Sequence, residues 1–126
     1  MKNKTVIQIA LVMYALPLFI FGIYNIVDYK DLAQMIVFNW PLWLKVGMVF
    51  SGAFILLASS VLITLKKYLN ISCISIILLM MIYILIVHIQ NPYHDWHMAL
   101  FMLFKDINIA GSALLIKCFH KQIETL

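Results

Sequence analysis

The last apolar run of the sequence, residues 97–116, carries charged and polar side chains near its middle. Lys105 and Asp106 are adjacent there, and Asn108 follows two positions later. At the centre of a membrane-spanning helix, each charged residue costs about 2.5 to 3.5 kcal/mol on insertion scales. Such groups persist where they face a protein interior or a wet cavity that supplies partners. We therefore expect the rest of the chain to pack around this run and to supply partners for its polar side chains.

The spacing of these side chains separates them by direction on a helix. Lys105, Asn108 and Ser112 are spaced by three and four residues, so they share one face. Asp106 lies about 100° away, where it would face a neighbouring helix while Lys105 faces the interior. Two interpretations stay open: a pocket that binds a quinone-like or other small ligand or relays a proton, and a hydrogen-bond cluster that fixes helix packing. The candidate pocket residues are Lys105, Asp106, Asn108, Ser112, Asn25 and His88.

A second group of polar residues, next to the start of this run, has the side chains of a metal site. Imidazole and carboxylate groups bind zinc, copper or iron. No HxH or HExxH spacing is present, and half-polar rings suit a membrane interface. We therefore interpret these side chains as interfacial, predict no metal site, and keep them as weak metal candidates only: His88, His94, Asp95 and His97.

The composition indicates an integral membrane protein. Of 126 residues, 65% are hydrophobic and only 11% are charged, and the mean hydropathy is +1.02. Soluble domains are closer to half apolar and a quarter charged. The net charge is +4 and every Lys or Arg residue is lysine, whereas nucleic-acid binders usually have a clustered basic face with arginine. We expect the partner surface to be a lipid bilayer and not nucleic acid.

Four apolar runs predict an all-α membrane protein, a single-domain antiparallel four-helix bundle. A spanning helix needs about 20 mostly apolar residues, and the predicted spans are residues 5–27, 42–65, 69–89 and 97–116. Four such spans leave no room for a soluble catalytic domain. Small residues let helices approach closely in lipid, and the candidates for helix packing are Gly47, Ser51, Gly52 and Gly111.

Lysines in the short loops predict the orientation. Cytoplasmic loops carry an excess of lysine and arginine. Both termini and the middle loop are therefore expected in the cytoplasm, in a bacterial inner membrane. The lysines on that side are Lys2, Lys4, Lys66, Lys67, Lys117 and Lys121. Cys73 and Cys118 then lie toward the cytoplasm, where thiols stay reduced, and they form no CxxC pair.

The segment from Phe104 to Ser112 resembles the last helix of DoxX-like membrane proteins. That family often has a Lys-Asn pair followed by aliphatic residues and two small residues, and Lys105 and Gly111 occupy matching positions. His88 before an Asn-Pro-aromatic turn, and Gly22 near the end of the first span, also match. The likeness covers the whole chain in length and number of spans.

Three positions depart from the family pattern. Asp106 stands where the family usually has asparagine, Ser112 replaces the second glycine, and Asn25 stands where a first-span lysine is common. The second span also lacks the glutamate that many relatives carry. The resemblance implies a four-helix membrane protein linked to redox work.

The first functional hypothesis is a membrane subunit or accessory of a quinone- or thiol-linked redox complex, with no independent catalytic activity. A quinone is its candidate cofactor, and a membrane or peripheral oxidoreductase or a second copy of the chain is its candidate partner. The alternatives are a small proton-coupled transporter and a purely structural assembly protein. The transporter ranks lower, because the first span has no acidic residue before Asp28.

Overall fold

Helices make up all of the regular secondary structure in the part of the chain that the structure describes. The computed structural model describes residues 4–34, 39–85 and 96–125, and no strand is present in them. The all-α prediction is confirmed to that extent. The helices are α1 (Lys4–Val27), α2 (Tyr29–Gln34), α3 (Leu42–Thr64), α4 (Leu69–Tyr83), α5 (Trp96–Cys118) and α6 (His120–Glu124).

The long helices coincide with the predicted apolar spans. α1 and α3 agree with the first two spans to within one residue at each end, and α5 extends the fourth span slightly in both directions. α4 covers the first 15 residues of the third span, and His88, His94 and Asp95 lie outside the described residues. Among the described helices, α1 and α3 are long and apolar enough to cross a membrane.

The four long helices pack in an antiparallel order. α1 packs along α3, α3 along α4, and α4 along α5. Near the start of α1, the Gln8 side-chain amide donates to the Thr64 carbonyl at the end of α3, at 3.1 Å. The Tyr14 hydroxyl donates to the Ile109 carbonyl of α5 at 2.8 Å. α5 therefore borders α1 through a long side chain, and the four helices enclose a common interior.

The interior is aliphatic over most of its length. Every long helix and the short α6 contribute to it, because each has an apolar stripe on the side that faces its neighbours. The stripe on α5 is short, with Ala113 as its fully buried member. The buried core residues are Leu11, Ala15, Leu18, Leu56, Ile63, Leu69, Cys73, Ile76, Leu79, Met80, Ala113 and Ile123.

The four small residues predicted to pack helices lie in different surroundings within one chain. Gly52 is buried against Tyr83, but Gly47, Ser51 and Gly111 are exposed. No described atom lies within 4 Å of a Cβ added at Gly47 or Gly111. Gly47 and Ser51 are four residues apart and share one face of α3, whereas Gly52 is rotated about 100° from Ser51 and points inward.

Gly22, by contrast, lies at a close approach of α1 to α3. A Cβ at this position would lie 2.8 Å from the Leu57 side chain and 3.2 Å from the Ala53 carbonyl oxygen. Real Cβ contacts are longer, so any larger residue would force the two helices apart. The glycine thus brings the far end of α1 against α3.

A tight turn at residues 65–68 joins α3 to α4. The Lys66 amide donates to the Ile63 carbonyl at 3.1 Å, and the Lys67 amide donates to the Leu62 carbonyl at 3.0 Å. This is the Schellman pattern of a helix end, in which the residue after the cap is left-handed. Lys66 has φ 58°, although such positions usually hold glycine.

The C-terminal helix closes the same end of the molecule. The Glu124 carboxylate accepts a hydrogen bond of 2.9 Å from the Leu69 amide, the first residue of α4. Tyr68, which precedes α4, makes no side-chain capping bond of its own. Ile123 is buried against the core, so α6 both covers the bundle end and caps α4.

We predict that Glu124→Ala lowers the free energy of unfolding by about 0.5 to 2 kcal/mol, the usual cost of losing a helix cap. Thermal unfolding of the detergent-solubilised protein measures this loss. Glu124→Gln keeps an acceptor oxygen and should retain most of the stability. Lys121→Ala, on an exposed position of the same helix, serves as the control; an equal loss in this control would contradict the capping role.

Candidate polar site between the helices

Asp106 lies on the side of α5 that faces the other helices. Only 3% of its surface is exposed. Ala113, seven residues later, is also buried, which is the spacing of one helical face. A carboxyl group in such surroundings requires hydrogen-bond partners, because an unsatisfied buried polar group costs about 1 to 3 kcal/mol and a charged one more.

Tyr83 is the polar group that α4 places next to Asp106. The two are close enough for the carboxyl group to act electrostatically on the phenol. The Tyr83 hydroxyl accepts a hydrogen bond from the Asn25 amide of α1 at 3.3 Å. Because a phenol has one proton to give and accepts at its oxygen, the Tyr83 hydroxyl can still donate while it accepts from Asn25.

Gly52 makes room for this tyrosine. A Cβ at Gly52 would collide with the Tyr83 hydroxyl oxygen and would lie 3.1 Å from Cζ. α3 therefore contributes no side chain to the site but provides the space in which the phenol lies. α1, α3, α4 and α5 all meet at this point.

Lys105 lies beside the site and turns toward α1. Its ammonium nitrogen is 4.7 Å from the centroid of the Phe21 ring, and its side chain is half-buried. A cation over an aromatic face gains about 0.5 to 2 kcal/mol, the larger value applying away from water. The Phe21 ring thus keeps the Lys105 ammonium group against α1.

The structure brings together only some of the predicted pocket residues. Asp106 is buried beside Tyr83, Asn25 bonds to the same tyrosine, and Lys105 lies against α1. Asn108 does not join them: it is exposed, about 200° around α5 from Asp106. Ser112 is half-buried farther along the helix. The interior-facing side of α5 passes through Asp106 and Ala113, and not through the predicted face of Lys105, Asn108 and Ser112.

Sequence reasoning missed Tyr83 and Phe21. Both lie in strongly apolar runs where an aromatic residue looks like ordinary core. Tyr83 did carry a signal, since it is the one residue between Ile76 and Leu85 with a polar atom in its side chain other than methionine sulfur. Phe21 carried none, because its role depends on where Lys105 lies.

The structure does not bring the weak metal candidates together in the part of the chain that it describes. No group of three or more His, Cys, Asp or Glu side chains able to hold a metal ion occurs among the described residues. His97 is exposed on α5. The other three candidates belong to the segment outside the described residues.

An open groove of about 250 Å³ lies between α1 and α3, away from the polar site. Its walls are mainly aliphatic and aromatic. The hydroxyl groups in it bond within α3, from Ser60 to the Leu57 carbonyl and from Thr64 to the Ser60 carbonyl. The groove thus offers an apolar surface and no free polar group among the described residues that line it.

Comparison with protein families, with curated proteins and with solved structures gives no match to this chain.

We predict that Gly52→Ala costs about 1 to 3 kcal/mol, because the added methyl group forces Tyr83 from its place. Gly47→Ala is the matched control on the same helix. It meets open space and should be neutral or stabilising by up to about 1 kcal/mol. Thermal unfolding of both variants gives the comparison.

The same substitution made in a Tyr83→Phe variant tests whether the Tyr83 hydroxyl causes this loss of stability. In Tyr83→Phe the hydroxyl oxygen that meets the new methyl group is gone, so Gly52→Ala should cost less there than in the parent protein. An unchanged cost would show that the Tyr83 hydroxyl is not what Gly52 accommodates.

Proposed function

We propose that the protein is a four-span integral membrane protein in which α1, α3, α4 and α5 cross the bilayer. The support is the character of the outward surface. Large apolar side chains are exposed on all four helices, among them Met13, Phe54, Leu78 and Phe101. Monomeric soluble proteins rarely expose contiguous apolar patches of more than a few hundred Å².

The lysine-rich end of this bundle faces the cytoplasm of a bacterial cell. The contacts from Gln8 to Thr64 and from Leu69 to Glu124 gather the start of α1, the turn between α3 and α4, and the C-terminal helix at one end. Lys4, Lys66, Lys67, Lys117 and Lys121 belong to these segments. The positive-inside rule places such an end in the cytoplasm.

We predict that Cys118 reacts with a membrane-impermeant maleimide in inverted vesicles but not in intact spheroplasts. It is exposed at the end of α5, whereas Cys73 is buried. Asp31→Cys, on an exposed position of α2, should show the opposite pattern in a Cys118→Ser background. Labelling of both positions from the same side would contradict the four-span topology.

The polar site between the helices binds the headgroup of a quinone or a similar small carbonyl compound. The convergence of Asp106 with Tyr83 inside an apolar bundle carries this proposal, because intramembrane ionisable residues commonly mark functional sites. Quinone carbonyl oxygens accept hydrogen bonds. Tyr83 and Asn25 supply donors in contact with each other, and Lys105 supplies another over Phe21, one turn before Asn25 on α1. A quinol hydroxyl would in turn donate to the Asp106 carboxylate.

In this proposal the chain works as a DoxX-like membrane subunit or accessory of a redox complex. It supplies the binding site in the lipid phase, and a membrane or peripheral oxidoreductase supplies the electrons. The resemblance of the segment around Lys105 and Gly111 to DoxX-like proteins supports this role. The departure at Asp106 places an acid where that family usually has an amide.

We predict that the purified protein binds a short-chain benzoquinone or naphthoquinone and that Lys105→Met weakens this binding about tenfold to a hundredfold. Hydrogen bonds to charged groups contribute about 1.5 to 3 kcal/mol, and methionine keeps the length of the side chain. Quenching of intrinsic fluorescence on titration measures the affinity. Lys67→Met, at an exposed position outside the site, is the control.

Two results would oppose this proposal. The first is the absence of quinone both from extracts of the purified protein and from binding titrations. The second is equal weakening by Lys105→Met and Lys67→Met. If Lys105→Met lowers thermal stability but leaves quinone affinity unchanged, the cluster acts as a structural hydrogen-bond network.

The second candidate function is proton-coupled transport. It is favoured by the Asp106 carboxyl group, which lies buried between the helices and acts electrostatically on the Tyr83 phenol. Substrate-driven proton flux into liposomes that is lost in Asp106→Asn would favour transport over quinone binding. Asp31→Asn, at an exposed position, provides the matched control.

A further inference from the structure

The outward side of α5 carries a regular row of exposed residues. Their spacing alternates between three and four along the whole helix, which is the pattern of a helix–helix seam. Phe101, Phe104 and Leu115 are 66%, 61% and 62% exposed. We call this row the α5 seam, and it consists of Phe101, Phe104, Asn108, Gly111, Leu115 and Cys118.

Asn108 is the unusual member of the α5 seam. It lies about 18 Å along the helix from Trp96 and about 15 Å from Cys118, at 1.5 Å per residue. That position is near the middle of a hydrocarbon layer about 30 Å thick. Its amide has no hydrogen-bond partner among the described residues, and lipid tails offer none.

Two outward hydroxyl groups on α3 and α4 bond within their own helix. The Ser51 hydroxyl donates to the Gly47 carbonyl at 2.8 Å, and the Ser75 hydroxyl donates to the Ile71 carbonyl at 2.9 Å. An asparagine amide has two donor hydrogens and an acceptor oxygen. Asn108 therefore calls for a partner beyond the described residues of its own chain.

We propose that the α5 seam is the interface of a homodimer in the membrane, with the Asn108 amides of two copies bonded to each other. An amide is complementary to itself, so a two-fold axis beside Asn108 satisfies both copies with one residue type. A single polar asparagine in an apolar seam also fixes register and the number of helices. This inference rests on the proposed membrane-spanning arrangement but not on quinone binding.

Gly111 allows the two copies of α5 to come close. It lies one turn beyond Asn108 on the same side, and an added Cβ there meets no described atom within 4 Å. Glycine at a helix interface lets backbones approach and favours association in lipid. Phe101 and Phe104 occupy the other half of the seam, where their large rings keep the two helices farther apart. The helices are therefore closest in the half that contains Gly111 and Cys118.

The geometry of this dimer offers a native reporter. Cys118 is exposed at the end of the α5 seam, about 10 Å along the axis from Gly111. In a dimer around a two-fold axis, the Cys118 thiols of the two copies lie near each other. A short bismaleimide added to membranes should therefore cross-link the protein into a covalent dimer.

Substitutions in the α5 seam test the interface without disturbing the fold of one chain. Asn108→Val should weaken dimerisation about threefold to thirtyfold, the range for interhelical hydrogen bonds in membranes. Asn108→Gln keeps an amide and should retain cross-linking. Gly111→Ile should abolish close approach, whereas Gly47→Ile, equally exposed and equally open on α3, should leave cross-linking unchanged.

A cysteine on another outward face checks for random collision. Leu78→Cys in a Cys118→Ser background places a thiol on an exposed position of α4 and should not cross-link. Equal cross-linking from Leu78→Cys, or no effect of Asn108→Val and Gly111→Ile, would overturn the dimer. A monomer that inserts with the expected topology would also overturn the dimer, while the proposed function would stand; failure to insert in the membrane would overturn both.

Discussion

The carboxyl group of Asp106 must find polar partners inside an apolar bundle, and the arrangement of four helices around it meets that need. α4 supplies Tyr83, and α1 supplies the Asn25 amide that holds the tyrosine hydroxyl. α3 supplies only space, because Gly52 has no side chain to occupy the position of the phenol. Tyr83 thus has neighbours on all three of the other long helices: Asn25 on α1, Gly52 on α3 and Asp106 on α5.

The two ends of the molecule differ in what holds them together. At the lysine-rich end, side chains complete the hydrogen bonding of helix termini: Gln8 on the last carbonyl of α3 and Glu124 on the first amide of α4. The polar site lies toward the opposite end, since Asn25 is two residues from the end of α1 and Tyr83 ends α4. These hydrogen bonds join the helix termini at the lysine-rich end, and the polar site lies in the opposite half of the bundle.

α5 has polar residues on opposite sides within a single turn. Asp106 points into the bundle and Asn108 points out, because two residues correspond to a rotation of about 200°. The inner group ties α5 to its own chain. The outer group is the basis of the proposed homodimer, so the same short segment would connect the polar site of one copy to the α5 seam shared with its partner.

The sequence by itself determined the helical class and the positions of the long apolar helices, and it singled out the segment around Asp106 as a candidate site. These follow from local properties, namely the length of apolar runs, helix breakers such as Asn39 and Pro41, and the cost of charge in an apolar run. Spacing also showed that Lys105 and Asp106 point in different directions. It could not show which direction is inward, because that depends on how α5 rotates against α1 and α4.

Only the tertiary structure decided this rotation. It buried Asp106, exposed Asn108, Gly47 and Gly111, and turned Lys105 onto Phe21. The physical reason is that a helix rotates as a unit: burying Asp106 and Ala113 on one side of α5 necessarily sends Asn108 to the other.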